Sequence, residues 1–365
     1  MVTYDLEKFE ALFKEGYLRK SEKGDLILYG YTEKTTFDRH WNEYTRAARG
    51  LILDKRTGAL VAKCFPKFFN LGEHEETFLV NLPTNVPYSS FEKVDGSLGI
   101  IFNYDGVWQI ATRGSFYSEQ AQKGAEILKK YNLSAINSAT TLLAEIIYPA
   151  NKIIVDYGQE EKLVLIGAYD SNSGHEFSPS TLVQFSQETG MPHAKNFTYS
   201  IEQMIELQKI LPKDEEGFVV RFENGLRVKI KGAEYLRIAK MLSHMSPISF
   251  WEAMVDGKVP EEYLAQLPEE FKKEFEPIVE TLETQFALML DEVEQDFCEL
   301  PTRSLTPEGR KQVGIFLRDT PSIKHKSAMF PLLEGKTDIV TKYVMKQIRP
   351  DGNDLRPIGE ENEEK

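Results

Sequence analysis

Leu226-Arg227-Val228-Lys229-Ile230-Lys231 alternates apolar and cationic residues without a break, and Phe218-Val219-Val220-Arg221-Phe222 precedes it across Asn224-Gly225. Asn-Gly between two β-type runs is the strongest short-range hairpin signal a sequence carries. With a two-residue loop, Val220 faces Lys229 and Phe218 faces Lys231. Because strand side chains alternate between faces, Arg227, Lys229 and Lys231 project to one side and Leu226, Val228 and Ile230 to the other. Glu216, just before the first strand, is expected on the cationic side beside Lys231. Three like charges on one strand face read either as a solvated face, the commoner case for a hairpin taken alone, or as a site where an anion lies among them and relieves their repulsion.

From about residue 25 to 232 the chain is a series of short β-type runs with turn signals between them. Leu51-Ile52-Leu53 and Ala59-Leu60-Val61-Ala62 flank Lys55-Arg56-Thr57-Gly58, and Gly99-Ile100-Ile101-Phe102 and Val107-Trp108-Gln109-Ile110 flank Asp105-Gly106. This predicts an α+β domain rich in antiparallel sheet, with helices around Ser118 to Tyr131 and Ile201 to Leu211. After about residue 240 the period changes. Phe271, Phe275, Ile278, Val279, Leu282, Phe286, Met289, Leu290, Val293 and Phe297 recur at three- and four-residue steps, one apolar stripe of a helix. Pro277 is expected to kink or split it. Thr306-Pro307 reads as an N-cap followed by proline at the first helical position, and a further helix is expected over Thr337 to Ile348. The division expected is 1–240, an all-helical 241–352, and a charged tail at 353–365.

A net charge of −13 over 365 residues is unusual for a nucleic-acid binder; it fits functional cations concentrated in a site instead of over a face, and equally fits a charge that only keeps the protein soluble. Cys64 and Cys298 are too far apart in sequence to suggest a disulfide framework or a metal site, and the six histidines are scattered. No apolar run approaches the roughly 20 residues that span a bilayer, and the first residues lack a signal-peptide pattern. An intracellular, cytoplasmic location is the expectation.

Lys93-Val94-Asp95-Gly96-Ser97 carries the chemistry. A lysine between a strand-like flank and a glycine turn suits a nucleophile whose backbone must come close to a ligand. The motif is short and gains weight from its company. Ile27-Leu28-Tyr29-Gly30-Tyr31, Ala48-Arg49-Gly50-Leu51, Pro66-Lys67-Phe68-Phe69-Asn70-Leu71, Thr112-Arg113-Gly114-Ser115, Ala144-Glu145-Ile146-Ile147, Glu215-Glu216-Gly217-Phe218-Val219 and Val228-Lys229-Ile230-Lys231 occur around it in a fixed order. With them, the chain resembles the covalent nucleotidyltransferase superfamily of ATP-dependent ligases and capping enzymes. Within that superfamily it resembles the bacteriophage T-even-type RNA ligase 1 family.

The resemblance implies an N-terminal nucleotidyltransferase domain followed by a helical domain that selects RNA. It implies three steps: Lys93 takes AMP from ATP, the AMP passes to an RNA 5′-phosphate, and a 3′-hydroxyl displaces it. Lys93, Glu145, Glu216, Lys229 and Lys231 would be the catalytic set. Glu145 and Glu216 would hold Mg2+, with Mn2+ as a substitute, and Arg49 and Lys67 would clamp phosphates. Tyr29 matches a nucleotide-contacting tyrosine, Phe69 supports the site by packing, and Gly96 allows close backbone approach. Arg113 stands where the family has lysine, which keeps the charge and changes its geometry. Glu261-Glu262 stand in place of paired aspartates of a C-terminal metal site. Implied partners are single-stranded RNA ends, including nicked tRNA anticodon loops, with the protein a monomer. Plainer readings exist beside these: Phe68 and Phe69 as core, Tyr29 as a half-buried strand residue, Glu145 as a strand-edge charge. DNA ligases and capping enzymes share the lysine chemistry but normally append a small β-barrel, which the helical stripe argues against. An RNA-end binding protein that kept the pocket without the activity is the rival of another class.

Overall fold

The computed structural model describes residues 2–83, 85–243, 245–258, 264 and 269–351. It divides into two compact units, Met1–Arg237 and Ile238–Lys365.

The first unit is built on three sheets. The first is antiparallel: β1 (Leu18–Lys23), β2 (Leu26–Tyr31), β3 (Arg49–Asp54) and β4 (Leu60–Ala62) in that spatial order. The Lys-Phe-Phe-Asn run that follows forms the short strand β5 (Phe69–Asn70), which belongs to another sheet. The second sheet has the order β10-β9-β7-β8, from β7 (Ser97–Tyr104), β8 (Val107–Thr112), β9 (Thr140–Ile147) and β10 (Lys162–Asp170). The third, ordered β11-β6-β12-β13-β5, adds β6 (Tyr88–Glu92), β11 (Asn196–Phe197), β12 (Gly217–Phe222) and β13 (Arg227–Lys231). All pairs are antiparallel except β13 with β5.

The second sheet is buried on both faces, which is why β9 reads Thr-Thr-Leu-Leu-Ala-Glu-Ile-Ile without polar alternation. Period-2 geometry sorts its residues. Ile101, Leu142, Ala144 and Ile146 pack with the helix Glu119–Leu128 side, while Ile100, Phe102, Ala111 and Leu143 pack with Leu28 and Ile52 of the first sheet. The third sheet buries Phe218, Val220, Phe222, Val228 and Ile230 against Met204 and Leu82. Its other face carries the cations.

The hairpin register differs from the expectation by one residue. Val219 opposes Lys229, Gly217 opposes Lys231 and Arg221 opposes Arg227, so the loop has three residues, Glu223 to Gly225. Gly225 has φ +90°, the left-handed third position of such a loop, where a two-residue turn would need both central residues at positive φ. The cationic face survives the shift because alternation along β13 does not depend on the loop. What changes is its company, which is Val219 and Arg221 in place of Phe218 and Val220.

In the second unit the described residues form helices over Pro247–Val255, Glu269–Cys298, Pro307–Asp319, Lys326–Leu333 and Thr337–Gln347. The apolar stripe buries Val293 with Val313, Met329, Val340 and Val344, and Phe286, Met289, Leu290 and Phe297 pack against that core. Pro277 lies inside one continuous helix and does not split it. A proline there removes an N–H from the ladder and costs about 3 kcal/mol; Val279 and Leu282, just beyond it, are buried. Thr306 caps its helix, accepting from Gly309 N–H, with Pro307 in the first turn. Glu261, Glu262 and the tail from residue 352 lie outside the described residues.

Candidate active site

Lys93 follows directly on β6, and its N–H donates to Gly217 O at 2.8 Å. That bond docks the lysine on the first residue of β12. Its Nζ donates to Glu216 Oε2 at 2.6 Å, and Lys231 Nζ sits 2.9 Å from Glu216 Oε1. One carboxylate, 2% exposed, thus bridges the two ammonium groups. Strict alternation would send Glu216 to the apolar face, one residue out of phase with Gly217. Gly217 has φ +133°, a conformation closed to other residues, and a Cβ there would lie 2.2 Å from Ile230 O. This glycine turns Glu216 onto the cationic side.

The rest of the lysine motif anchors the backbone. Asp95 Oδ2 accepts from the N–H groups of Ile154 and Val155, both at 2.9 Å, and Oδ1 accepts from Tyr235 OH at 2.9 Å. Gly96 packs so close to β9 that a Cβ would meet Ile146 O at 2.9 Å.

Glu145 comes from the facing sheet, where it pairs in register with Leu98 and Val164. Its Oε2 is buried without a hydrogen-bond partner. Burial pushes this carboxyl up to about 7, with Lys93 opposing and the charge of Glu216 adding to the rise. Lys229 is the mirror image. Burial pushes its ammonium down to about 7, helped by Arg49, Lys93, Lys67 and Lys231 around it. Its Nζ lies 4.6 Å from the ring centre of Phe68.

Lys93, Glu145, Lys229, Arg49 and Phe68 line one cleft of about 790 Å³, part of it open to solvent, between the second and third sheets. Arg49 is fixed from behind, donating from Nη1 to Cys64 Sγ at 3.0 Å. Glu145 lies on an interior strand of its sheet and not at an edge, and Phe68 packs against the core as well as lining the cleft.

Lys67 stands beside this cleft, near enough for its charge to act on Lys229. Its ammonium is 5.1 Å from the rings of Trp41 and Phe69 and 5.6 Å from that of Tyr31. Arg113 is exposed, donates to Tyr31 OH at 3.2 Å and lies 5.0 Å over the same ring. Phe69 is 3% exposed and stacks on His74, so it supports Lys67 and does not line the cleft.

Tyr29 is not among these residues. It is 1% exposed, stacks on Phe9, and donates its hydroxyl to Glu10 at 2.8 Å. Tyr31 is the strand tyrosine that reaches the cationic cluster. Both belong to one face by alternation, so spacing could not choose between them; the register shift between Tyr29 and Gly30 at the end of β2 does. Trp41 and Tyr235 were also missed, and neither stands in a pattern that would have marked it.

A divalent cation fits this donor set. Glu145 offers a buried oxygen with no hydrogen-bond partner among the described residues, next to the negative charge of Glu216. Carboxylate oxygens suit Mg2+ or Mn2+, and Mg2+ takes only one or two of them when phosphates supply the rest. Among the described residues no three His, Cys, Asp or Glu side chains converge as a metal cage.

The profile of the RNA ligase family matches residues 47–235, just over half of the chain and all of the segments that build the cleft. A protein described as a bifunctional polynucleotide kinase/RNA ligase from Autographa californica nuclear polyhedrosis virus is 28% identical over 261 residues, 65% of this chain and 37% of that protein. A protein described as an RNA ligase from Thermovibrio ammonificans is 29% identical over 246 residues, 63% of this chain and 60% of that one. The chain thus spans between about a third and three fifths of the length of these relatives. Among solved structures, one described as an ATP-dependent DNA ligase from Aquifex aeolicus is 16% identical with a TM-score of 0.48, covering 91% of this chain and 99% of that one. The chain belongs to the RNA ligase family.

Proposed function

We propose that the protein is an ATP-dependent RNA ligase that joins a 5′-phosphate to a 3′-hydroxyl through a lysine-bound adenylate. The observation that carries this reading is Lys93 held by Glu216 at 2.6 Å on the edge of a cleft whose Glu145 and Lys229 both sit out of their ordinary charge range.

Lys93 Nζ must lose a proton before it attacks, and Glu216 Oε2 is placed to accept it. The amine then forms an N–P bond to the α-phosphorus of ATP while the bond to the bridging oxygen breaks and pyrophosphate leaves. Lys229, Lys231 and Arg49 are positioned to neutralise the charge that builds on the phosphoryl oxygens. Glu145 and Glu216 would hold Mg2+ or Mn2+, which supplies further charge neutralisation on the phosphates. In the second step a 5′-phosphate oxygen of RNA attacks the same phosphorus and Lys93 Nζ leaves, recovering a proton. In the third, an RNA 3′-hydroxyl attacks the activated 5′-phosphate, gives up its proton, and AMP departs.

Lys67 and Arg113, framed by Tyr31 and Trp41, are the residues proposed to receive a phosphate chain or an RNA end, a reading supported by their clustering on these rings. Single-stranded RNA ends, including broken tRNA anticodon loops, are the proposed substrates. Repair in the cytoplasm by a monomer is the proposed setting, in keeping with two cysteines that are both free.

The test is intact-mass measurement after incubation with ATP and Mg2+. An added AMP that is absent from Lys93→Ala, followed by joining of a 5′-phosphorylated oligoribonucleotide, supports the reading. An unmodified wild-type protein that still binds RNA ends would leave only the idle-binder alternative.

A further inference from the structure

Away from Lys231, the cleft ends on three charged side chains that the ligation steps leave unused: Glu176, Arg221 and Arg227. Arg221 and Arg227 oppose each other across β12 and β13, four residues along from Gly217 and Lys231. At about 3.3 Å per residue that is roughly 13 Å of strand, a span comparable to a nucleoside monophosphate. Both guanidinium groups hold Glu176 Oε1, Arg221 Nε at 2.9 Å and Arg227 through Nη2. Arg227 is locked by the ring of Phe65, 4.0 Å away, and Phe65 in turn fills the space over Gly167, where a Cβ would meet its Cζ at 2.4 Å.

Between the charged end and Lys93 the walls are apolar. Phe91 and Val219 are paired neighbours on the third sheet, and Ile166 lines the cleft from β10 of the facing sheet. A slot with apolar walls, an amine at one end and a fixed carboxylate at the other fits a nucleotide with its base inserted.

The polar atoms at the far end are not all satisfied. Glu176 Oε1 is taken by the two arginines, whereas among the described residues Oε2 accepts only a long 3.4 Å contact from Tyr169 OH. Arg221 Nε is close to Glu176 but misaligned, and it is buried without a hydrogen-bond partner. One acceptor and one donor are therefore presented side by side.

We propose that Glu176, clamped by Arg221 and Arg227, reads the edge of the purine base and selects adenine over guanine. The 6-amino group of adenine donates to Glu176 Oε2, and N1 accepts from Arg221 Nε. Guanine puts a carbonyl oxygen at position 6, against the carboxylate, and an N1–H against the arginine donor. Both contacts become repulsive or unpaired, the kind of mismatch that discriminates strongly in a buried site. The proposal rests on Lys93 being the residue that takes the nucleotide.

Lysine-adduct formation by the full chain with Mg2+ tests it, comparing ATP, GTP and purine riboside triphosphate, which lacks the 6-amino group. Wild type is expected to use ATP at least about tenfold more efficiently than the purine analogue. Glu176→Ala should bring that ratio close to one, and Glu176→Gln, which keeps the shape and can turn its amide toward a carbonyl, should lower the preference for ATP over GTP by about tenfold. Equal wild-type rates with ATP and the analogue overturn the proposal and leave the ligase reading intact. Variants that slow all three nucleotides by one common factor also overturn it, since that is what a structural role would give. An absence of adduct from every nucleotide removes the ligase reading, and this proposal with it.

Discussion

Lys93 Nζ and Glu216 Oε2 are 2.6 Å apart although 123 residues separate them in the chain. The pair exists because Lys93 N–H docks on Gly217 O and because Gly217, at φ +133°, turns its neighbour toward the amine. Glu216 also carries Lys231, so one buried carboxylate positions the nucleophile and a phosphate-neutralising cation together.

Replacing that carboxylate with an amide of the same shape isolates its charge. Glu216→Gln is expected to slow AMP-adduct formation by about a hundredfold or more, the range for loss of a positioned proton acceptor. Circular dichroism should be unchanged. A single-turnover assay with labelled ATP reads the rate, and a loss of only a few-fold would mean that another group takes the proton.

The fold class was legible because alternation and helical period leave direct marks. The hairpin at Asp105-Gly106, the hairpin at Asn224-Gly225 and the helix carrying the stripe from Phe271 to Phe297 all read correctly as elements. The hairpin register was not legible, since Asn-Gly serves both a two-residue loop and the last two positions of a three-residue one. Lys93, Glu145, Glu216, Lys229 and Lys231 could be named from motif order; Lys93, Glu145 and Lys229 line one cleft, and Glu216 and Lys231 join them through the ion pairs to Lys93 and Glu216. Tyr31 and the Glu176 cluster could not, because strand spacing does not say which tyrosine ends at a bulge or which loop carboxylate meets a distant hairpin. Those facts belong to long-range packing.

Stability should pass through a shallow minimum near pH 7 in the nucleotide-free protein. Glu145, ordinarily near 4.5, holds its proton up to about 7, so between those values the folded state binds more protons and stability falls as pH rises. Lys229, ordinarily near 10.5, gives up its proton at about 7, so above that the unfolded state binds more and stability rises with pH. Taken in full, the two shifts set upper limits of about 3 kcal/mol for the Glu145 limb and about 5 kcal/mol for the Lys229 limb. Thermal melts from pH 4.5 to 10 should show both limbs, with Glu145→Gln flattening the acidic one and Lys229→Met the alkaline one. Profiles that stay parallel in wild type and variants would sink this account.

Asp95 is predicted to matter more for structure than its place beside the nucleophile suggests. Its two oxygens satisfy the N–H groups of Ile154 and Val155 and the hydroxyl of Tyr235, all at 2.9 Å. Asp95→Ala strands three buried donors and should cost about 3–5 kcal/mol in urea unfolding, with loss of the adduct. Tyr235→Phe removes one of the three bonds, should cost about 1 kcal/mol, and should leave adduct formation measurable. Equal losses from the two variants would show that the backbone bonds contribute little.

The two tyrosines of β2 offer the sharpest test of the site's boundary. Tyr29 is core and its hydroxyl donates to Glu10, so Tyr29→Phe should cost about 1 kcal/mol and change the adduct rate less than twofold. Tyr31 contacts both Lys67 and Arg113, and Tyr31→Ala removes the ring that holds the two cations toward the same space. That variant should melt within a few degrees of wild type yet form the adduct, or seal RNA, at least about tenfold more slowly. The cation–aromatic contacts, each worth roughly 0.5–2 kcal/mol, set this scale. The reverse pattern, with Tyr29→Phe impaired and Tyr31→Ala active, would return the nucleotide contact to the buried tyrosine and require β2 to open when ATP binds.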